Sequence, residues 1–164
     1  MKFVSIIMGS KSDYSVMSEC AEMLKKFDIP YELIISSAHR SPQRTKEYVA
    51  DAEKRGAQVF IGAAGMAAHL AGAIISQTTK PVIGVPLTGG VLDGMDALLS
   101  TVQMPSGMPV ATMCVGKAGA VNAAYLAMQI LALSDEKLAG KLLADREQKA
   151  QKVEQDSKEI EVKI

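Results

Sequence analysis

KFVSIIMGSKSD, residues 2–13, holds the pattern that the rest of the chain repeats. An apolar run of strand length, Lys2–Met8, stops at Gly9, and Asp13 then stands as the cap of a helix reaching about Phe27, with Val16, Cys20, Met23, Leu24 and Phe27 on one stripe. Outward from there the alternation continues. Tyr31–Ser36 reads as the second strand, and Ser41-Pro42 starts a helix, Ser as cap and Pro at the first helical position, which runs to Arg55 and stops at Gly56. Gln58–Ala63 is a third strand, followed by a nearly charge-free helix from Ala67 to about Thr78. Pro81–Val85 and Val110–Val115 read as strands four and five, around a short helix at Asp93–Val102. A small-residue helix, Ala118–Leu133, leads to Ser134, which caps a last charged helix. Short apolar strands separated by helices imply parallel βαβ units with right-handed crossovers. Continuous apolar character in strands one, three and five requires both sheet faces to be covered. The expected fold is a three-layer α/β/α sandwich with a flavodoxin-like parallel sheet, one domain over residues 1–164 whose residues 135–164 form a charged helical tail. In that strand order ligands bind beyond the carboxyl ends of the strands, so the site is expected in the loops Gly9–Asp13, Ser36–Ser41 and Ala64–His69.

Composition narrows the function. Hydrophobic residues make up 48% of the 164, too many for a mainly disordered chain. Eighteen basic residues balance eighteen acidic ones, so no net field draws nucleic acid or an anionic membrane, and four Tyr, three Phe and no Trp leave no stacking platform for single strands. Cys20 and Cys114 lie far apart with no CxxC, which fits reduced thiols; no signal peptide or lipid-compatible helix is visible, and a soluble cytoplasmic protein is expected. Charge is unevenly spread. Residues 56–134 carry only Lys80, Asp93, Asp96 and Lys117. So much uncharged chain cannot all lie inside a domain of this size, and the uncharged surface predicts a homo-oligomer.

The three loops hold the chemistry. In the first, Gly9 lets backbone approach a ligand, the Ser10 and Ser12 hydroxyls donate, and a helix N-terminus favours an anion; an ordinary strand-to-helix turn capped by Asp13 fits the same residues. It is no Walker A loop, and the chain has no GxGxxG fingerprint. The second, around Ser37-Ala38-His39-Arg40, sets a proton-exchanging imidazole beside a guanidinium fork suited to phosphate; a structural His beside a solvated Arg is the alternative. In the third, the small residues of the stretch Gly62–Gly72, Gly65 and Ala67 among them, admit a flat ring against bare backbone or serve tight helix packing. His69, next to Leu70, orients a carboxylate or ties the loop by a hydrogen bond. Both histidines of the chain fall in these loops. No HExxH or other metal-ligand spacing occurs. Asp93 and Asp96 read as complements to a helix dipole, Cys114 as a small buried hydrophobe within a strand, and the methionines as core filler.

Six segments in order, MGSKSD (Met8–Asp13), SAHR (Ser37–Arg40), AAHL (Ala67–Leu70), GVP (Gly84–Pro86), LLSTVQMP (Leu98–Pro105) and GKAGAVNAA (Gly116–Ala124), resemble the class I N5-carboxyaminoimidazole ribonucleotide mutases, the PurE family of purine biosynthesis. The resemblance implies a flavodoxin-like subunit, a homo-octamer, aminoimidazole ribonucleotide derivatives and carbon dioxide as small-molecule partners, and a site with neither metal nor cofactor. It implies that Ser10, Asp13 and Arg40 bind substrate and that His39 is the catalytic acid/base, with His69 matching the family's second histidine. Ser12, Ser37, Ala38, Gly65, Ala67, His69 and Leu70 complete the expected substrate-binding set. The implied reaction moves a carboxyl group from the exocyclic nitrogen of the nucleotide to carbon 4 of its ring. The chain departs from the family pattern at Ala71-Gly72-Ala73, where Pro-Gly-Met is common, and at Ala64-Gly65, where Gly-Gly is common; Thr88-Gly89-Gly90 lies in a variable stretch. These changes bear on loop mobility and rate rather than reaction type. The tail after Arg146 is least family-like; Val153 and Ile160 read as part of a helix that reaches a neighbouring subunit or frays. Two rivals share the fold: a class II enzyme that carboxylates the decarboxylated nucleotide directly with carbon dioxide, and a non-catalytic phosphosugar-binding module.

Overall fold

The apolar runs form five strands in the computed structural model, which describes all 164 residues. These are β1 (Phe3–Met8), β2 (Tyr31–Ile35), β3 (Ala57–Gly65), β4 (Val82–Leu87) and β5 (Ala111–Thr112), joined in the order β2-β1-β3-β4-β5. Every pairing is parallel; Ile6 stands opposite Leu33 on one side and Ile61 on the other, and Ile83 opposite Ile61 and Ala111. This is the flavodoxin-like order read from the sequence. All residues of β1 and β4 are buried, as a sheet covered on both faces demands. Side chains alternate along β1, and Phe3 and Ile7 join Phe60 in a core with Val49 and Ala52 of α2 (Pro42–Arg55) and Leu70, Ala71 and Ile74 of α3 (Leu70–Ile75). On α1 (Tyr14–Lys26) the buried stripe is Met17, Cys20, Ala21 and Leu24, rotated by about one residue from the expected one. Its C-terminal neighbour Phe27 packs edge-on against Tyr125 of α5 (Lys117–Ala132), ring centroids 6.0 Å apart. The remaining helix before α5 is α4 (Met95–Val102).

One polar side chain enters the β1 core face. Ser5 is fully buried, and its hydroxyl lies 2.9 Å from that of Tyr48, which in turn donates to Glu32 Oε2 at 3.0 Å. Arg55 grips the same carboxylate through two nitrogens and also bonds Asp51. Hydrogen bonding from Arg55 holds the Glu32 carboxyl below its ordinary value, while burial above all pushes the Tyr48 phenol up to about 12. The chain thereby satisfies a buried hydroxyl whose isolation would cost about 1–3 kcal/mol.

Several ends differ from the sequence expectation. Asp13 stands at the N-cap position of α1, as expected, but its side chain makes no cap bond to that helix. Ser10 caps a single 3-10 turn, Lys11–Asp13, and Asp13 sits at its third position with its carboxylate turned back to the Ser10 N–H, a capping box. Ser41 precedes α2 with Pro42 in the first turn, as expected, but its hydroxyl makes no cap; it closes the turn with Ser37 instead. Gly56 ends α2 in the left-handed conformation. The helix expected from Ala67 to Thr78 forms only at Leu70–Ile75, because β3 runs on to Gly65 and a turn follows. Gly62 explains how that short helix sits so close: a Cβ there would lie 2.9 Å from Ile74 Cδ1 and 3.1 Å from Ala71 Cα. Strand five shrinks to two residues, leaving Cys114 outside it and exposed rather than a buried hydrophobe. Asp93 stands before α4 in a left-handed turn, so only Asp96 lies in its first turn.

The chain divides into two compact units, Met1–Met128 and Gln129–Ile164. The second is dominated by α6 (Glu136–Ile160), capped by Asp135, whose carboxylate accepts from the Leu138 N–H at 3.0 Å; Ser134 is not the cap. The helix continues unbroken to Ile160, and every residue after Asp145 is exposed. No helix of the chain is long and apolar enough to cross a membrane.

Candidate active site

Because β1, β2, β3 and β4 are parallel and adjacent, the loops leaving their carboxyl ends converge. They enclose a cleft of about 520 Å³ lined by Gly9, Ser10, Ser12 and Asp13 after β1, Ser37 to Arg40 after β2, Ala64 to Ala67, His69 and Leu70 after β3, and Thr88 and Gly89 after β4. All eleven residues singled out in the sequence, Ser10, Ser12, Asp13, Ser37, Ala38, His39, Arg40, Gly65, Ala67, His69 and Leu70, line this one cleft. Its position, beside β1 and β3, is the switch point of the sheet.

The first loop is preset by its own hydrogen bonds. Ser10 Oγ accepts from the Ser12 N–H at 3.4 Å and the Ser12 hydroxyl at 3.0 Å, leaving its own proton to donate. Asp13 is half-buried; burial raises its carboxyl above the ordinary 3.8, opposed by hydrogen bonds from Ser10, Ser12 and the Gly9 backbone and by the Arg40 charge. In the second loop the Arg40 N–H donates to Ser37 Oγ at 3.1 Å, and Arg40 Nη2 reaches across to the Gly9 carbonyl at 3.2 Å. The guanidinium thus bridges two strand tips while remaining exposed. From the third loop, the His69 ring stands beside that of His39, centroids 5.4 Å apart and planes tilted by 52°. The structure therefore brings the only two histidines of the chain side by side over a floor of small residues. No three His, Cys, Asp or Glu side chains come together in a metal-holding group, in the cleft or outside it.

Sequence reading missed the fourth wall. Thr88 and Gly89 follow β4 directly and line the cleft, and Gly65 lets the third loop press against them: a Cβ there would meet the Leu87 carbonyl at 3.2 Å and that of Thr88 at 3.4 Å. Two glycines just past a strand's carboxyl end, next to the switch point, were the available signal. Met66 was also missed; it is 60% exposed and holds a left-handed backbone, φ 56°.

Residues 3–152 match the family model described as AIR carboxylase. A protein of Bacillus subtilis named N5-carboxyaminoimidazole ribonucleotide mutase is 51% identical over 157 residues, covering 96% of this chain and 97% of its own. One of Pyrococcus horikoshii with the same name is 50% identical over 158 residues, covering 96% and 88%. The crystal structure of Treponema denticola PurE matches with a TM-score of 0.89 at 29% identity, over 99% of this chain and 100% of that one. With the family match spanning every strand and every loop of the cleft, the chain belongs to the AIR carboxylase family.

Proposed function

We propose that this chain is an N5-carboxyaminoimidazole ribonucleotide mutase acting in purine biosynthesis. The observation that carries the reading is identity at half of all positions, nearly end to end, with relatives of that name. The family match runs through both compact units and supports a single domain, residues 1–164, with α6 as its tail.

Arg40 and the Ser10 hydroxyl hold the phosphate, and Asp13 accepts from ribose hydroxyls through lone pairs that the capping box leaves open. His39 protonates the exocyclic carbamate nitrogen; the nitrogen–carbon bond breaks with its electron pair going to nitrogen, and carbon dioxide is released inside the cleft. Ring carbon 4 then attacks that carbon dioxide to form the new carbon–carbon bond, and His39 takes the proton from carbon 4 to restore aromaticity. One proton given equals one proton taken, so the isomerisation leaves His39 as it began. His69, 5.4 Å away, orients the carboxylate. Ser12, Ser37, Ala38, Gly65, Ala67 and Leu70 shape a slot around the ring that keeps water out.

The reading extends to a cytoplasmic homo-octamer. The free thiols Cys20 and Cys114 support a reducing compartment. A stripe on α4, Met95, Leu99 and Val102, with Val91, Leu92 and Met108 nearby in sequence, exposes the apolar surface that an assembly would cover.

The test feeds the protein freshly made carbamate nucleotide without ATP and, separately, the decarboxylated nucleotide with bicarbonate. Rapid conversion of the first is expected. Conversion of the second alone marks a direct carboxylase, and conversion of neither marks a binding module; either result overturns the reading.

A further inference from the structure

We propose that Met66 is the cover that keeps carbon dioxide in the cleft between its release and its recapture, an inference that rests on the mutase reading. Three observations converge on this side chain. Its backbone, φ 56°, occupies the left-handed region that a bulky residue rarely adopts. A short turn holds it there: the Ala68 N–H donates to the Met66 carbonyl at 2.9 Å, directly after Gly65 has drawn the loop against the Leu87 and Thr88 carbonyls. The turn takes Met66 out of the β3 alternation and sets a mostly exposed apolar side chain on the wall of a cleft that also holds both imidazoles.

Gly90, in the loop after β4, lies beside this side chain. A Cβ built there would stand 3.4 Å from Met66 Cγ, so the side chain already spans from the third loop to the fourth. Strained backbone at a cleft is retained where the side chain it aims has work to do.

The chemistry suits a thioether. Carbon dioxide is small and apolar, so an apolar flap retains it without binding it tightly. An unbranched side chain with three rotatable bonds can swing aside to admit the nucleotide and fall back. Unlike an amine, a thioether does not trap carbon dioxide as a carbamate. Met66 touches none of the atoms that exchange protons; it acts by closing the space in which carbon 4 finds its reactant.

The experiment compares wild type, Met66→Gly and Met66→Leu converting carbamate nucleotide in 13C-labelled bicarbonate with carbonic anhydrase present. Two quantities are read: label in the carboxylated product and free decarboxylated nucleotide per turnover. Wild type and Met66→Leu are expected to carry little label, whereas Met66→Gly incorporates label and releases decarboxylated nucleotide several-fold more, with conversion still measurable. A purely structural role would alter rate without moving this partition. Equal partition in all three proteins overturns the inference while the mutase reading stands on the conversion seen in the same tubes. An absence of conversion by wild type overturns both.

Discussion

Asp13 is where function and stability pull against each other most directly. Burial, the largest influence on it, raises its carboxyl above the ordinary 3.8 even though Ser10, Ser12, Gly9 and Arg40 all work to lower it. A raised folded-state value contributes stability that is fully present below 3.8 and is lost as pH rises through the folded value. At neutral pH the ionised group therefore burdens the fold, and its retention makes sense as an acceptor for ligand hydroxyls. Asp13→Asn can still accept the Ser10 N–H, so its thermal midpoint at pH 7 is expected to match or exceed wild type, and any excess should shrink as pH falls towards 4. Its KM should rise by about tenfold or more, since a hydrogen bond to a charged group is worth ~1.5–3 kcal/mol. Calorimetric melting across pH and steady-state kinetics check the two halves. A lower midpoint at pH 7 with unchanged KM would make Asp13 a structural cap only.

At the level of elements, what periodicity and punctuation control was legible, and what depends on three-dimensional competition was not. The β1 and β4 runs are mainly apolar because both faces are covered, and no other element type fits runs so short between glycine and proline; strand five, expected to be covered in the same way, is a two-residue edge strand that is only partly buried. Pro42 and Gly56 bounded α2 for reasons local to one residue each. The Ser134 cap assignment failed because another good capping residue, Asp135, stands next to it, while Asp13 holds the N-cap position of α1 but turns its carboxylate back to the Ser10 N–H rather than onto the helix. Choosing between neighbouring caps requires the path of the chain, which a string of residues does not display. Helix α3 was over-extended because its small residues are equally suited to helix and to a close-packed turn, and Gly62 and Gly65 act in packing rather than in propensity. The candidate site was legible for a topological reason: parallel strands in this order bring the same three loops together whatever their sequence. Thr88 and Gly89 escaped because two glycines past β4 mark a turn without saying that it walls the cleft, which depends on how closely the third loop at Gly65 lies to the Leu87 and Thr88 carbonyls.

For the whole molecule, the middle of the chain is the telling part. Between residues 56 and 134 only four side chains are charged, and the exposed stripe of α4 lies in that stretch. Equilibrium sedimentation is expected to return about eight times the 17.4 kDa of one chain; a species of one chain would show that this surface stays open to water. The central claim, that a single imidazole passes one proton out and back in a cleft made of strand tips, is tested most directly by His39→Asn. Nucleotide affinity by calorimetry should stay near that of wild type, because Arg40 and the first loop are intact, while turnover falls by about a hundredfold or more. Turnover close to that of wild type would contradict the account.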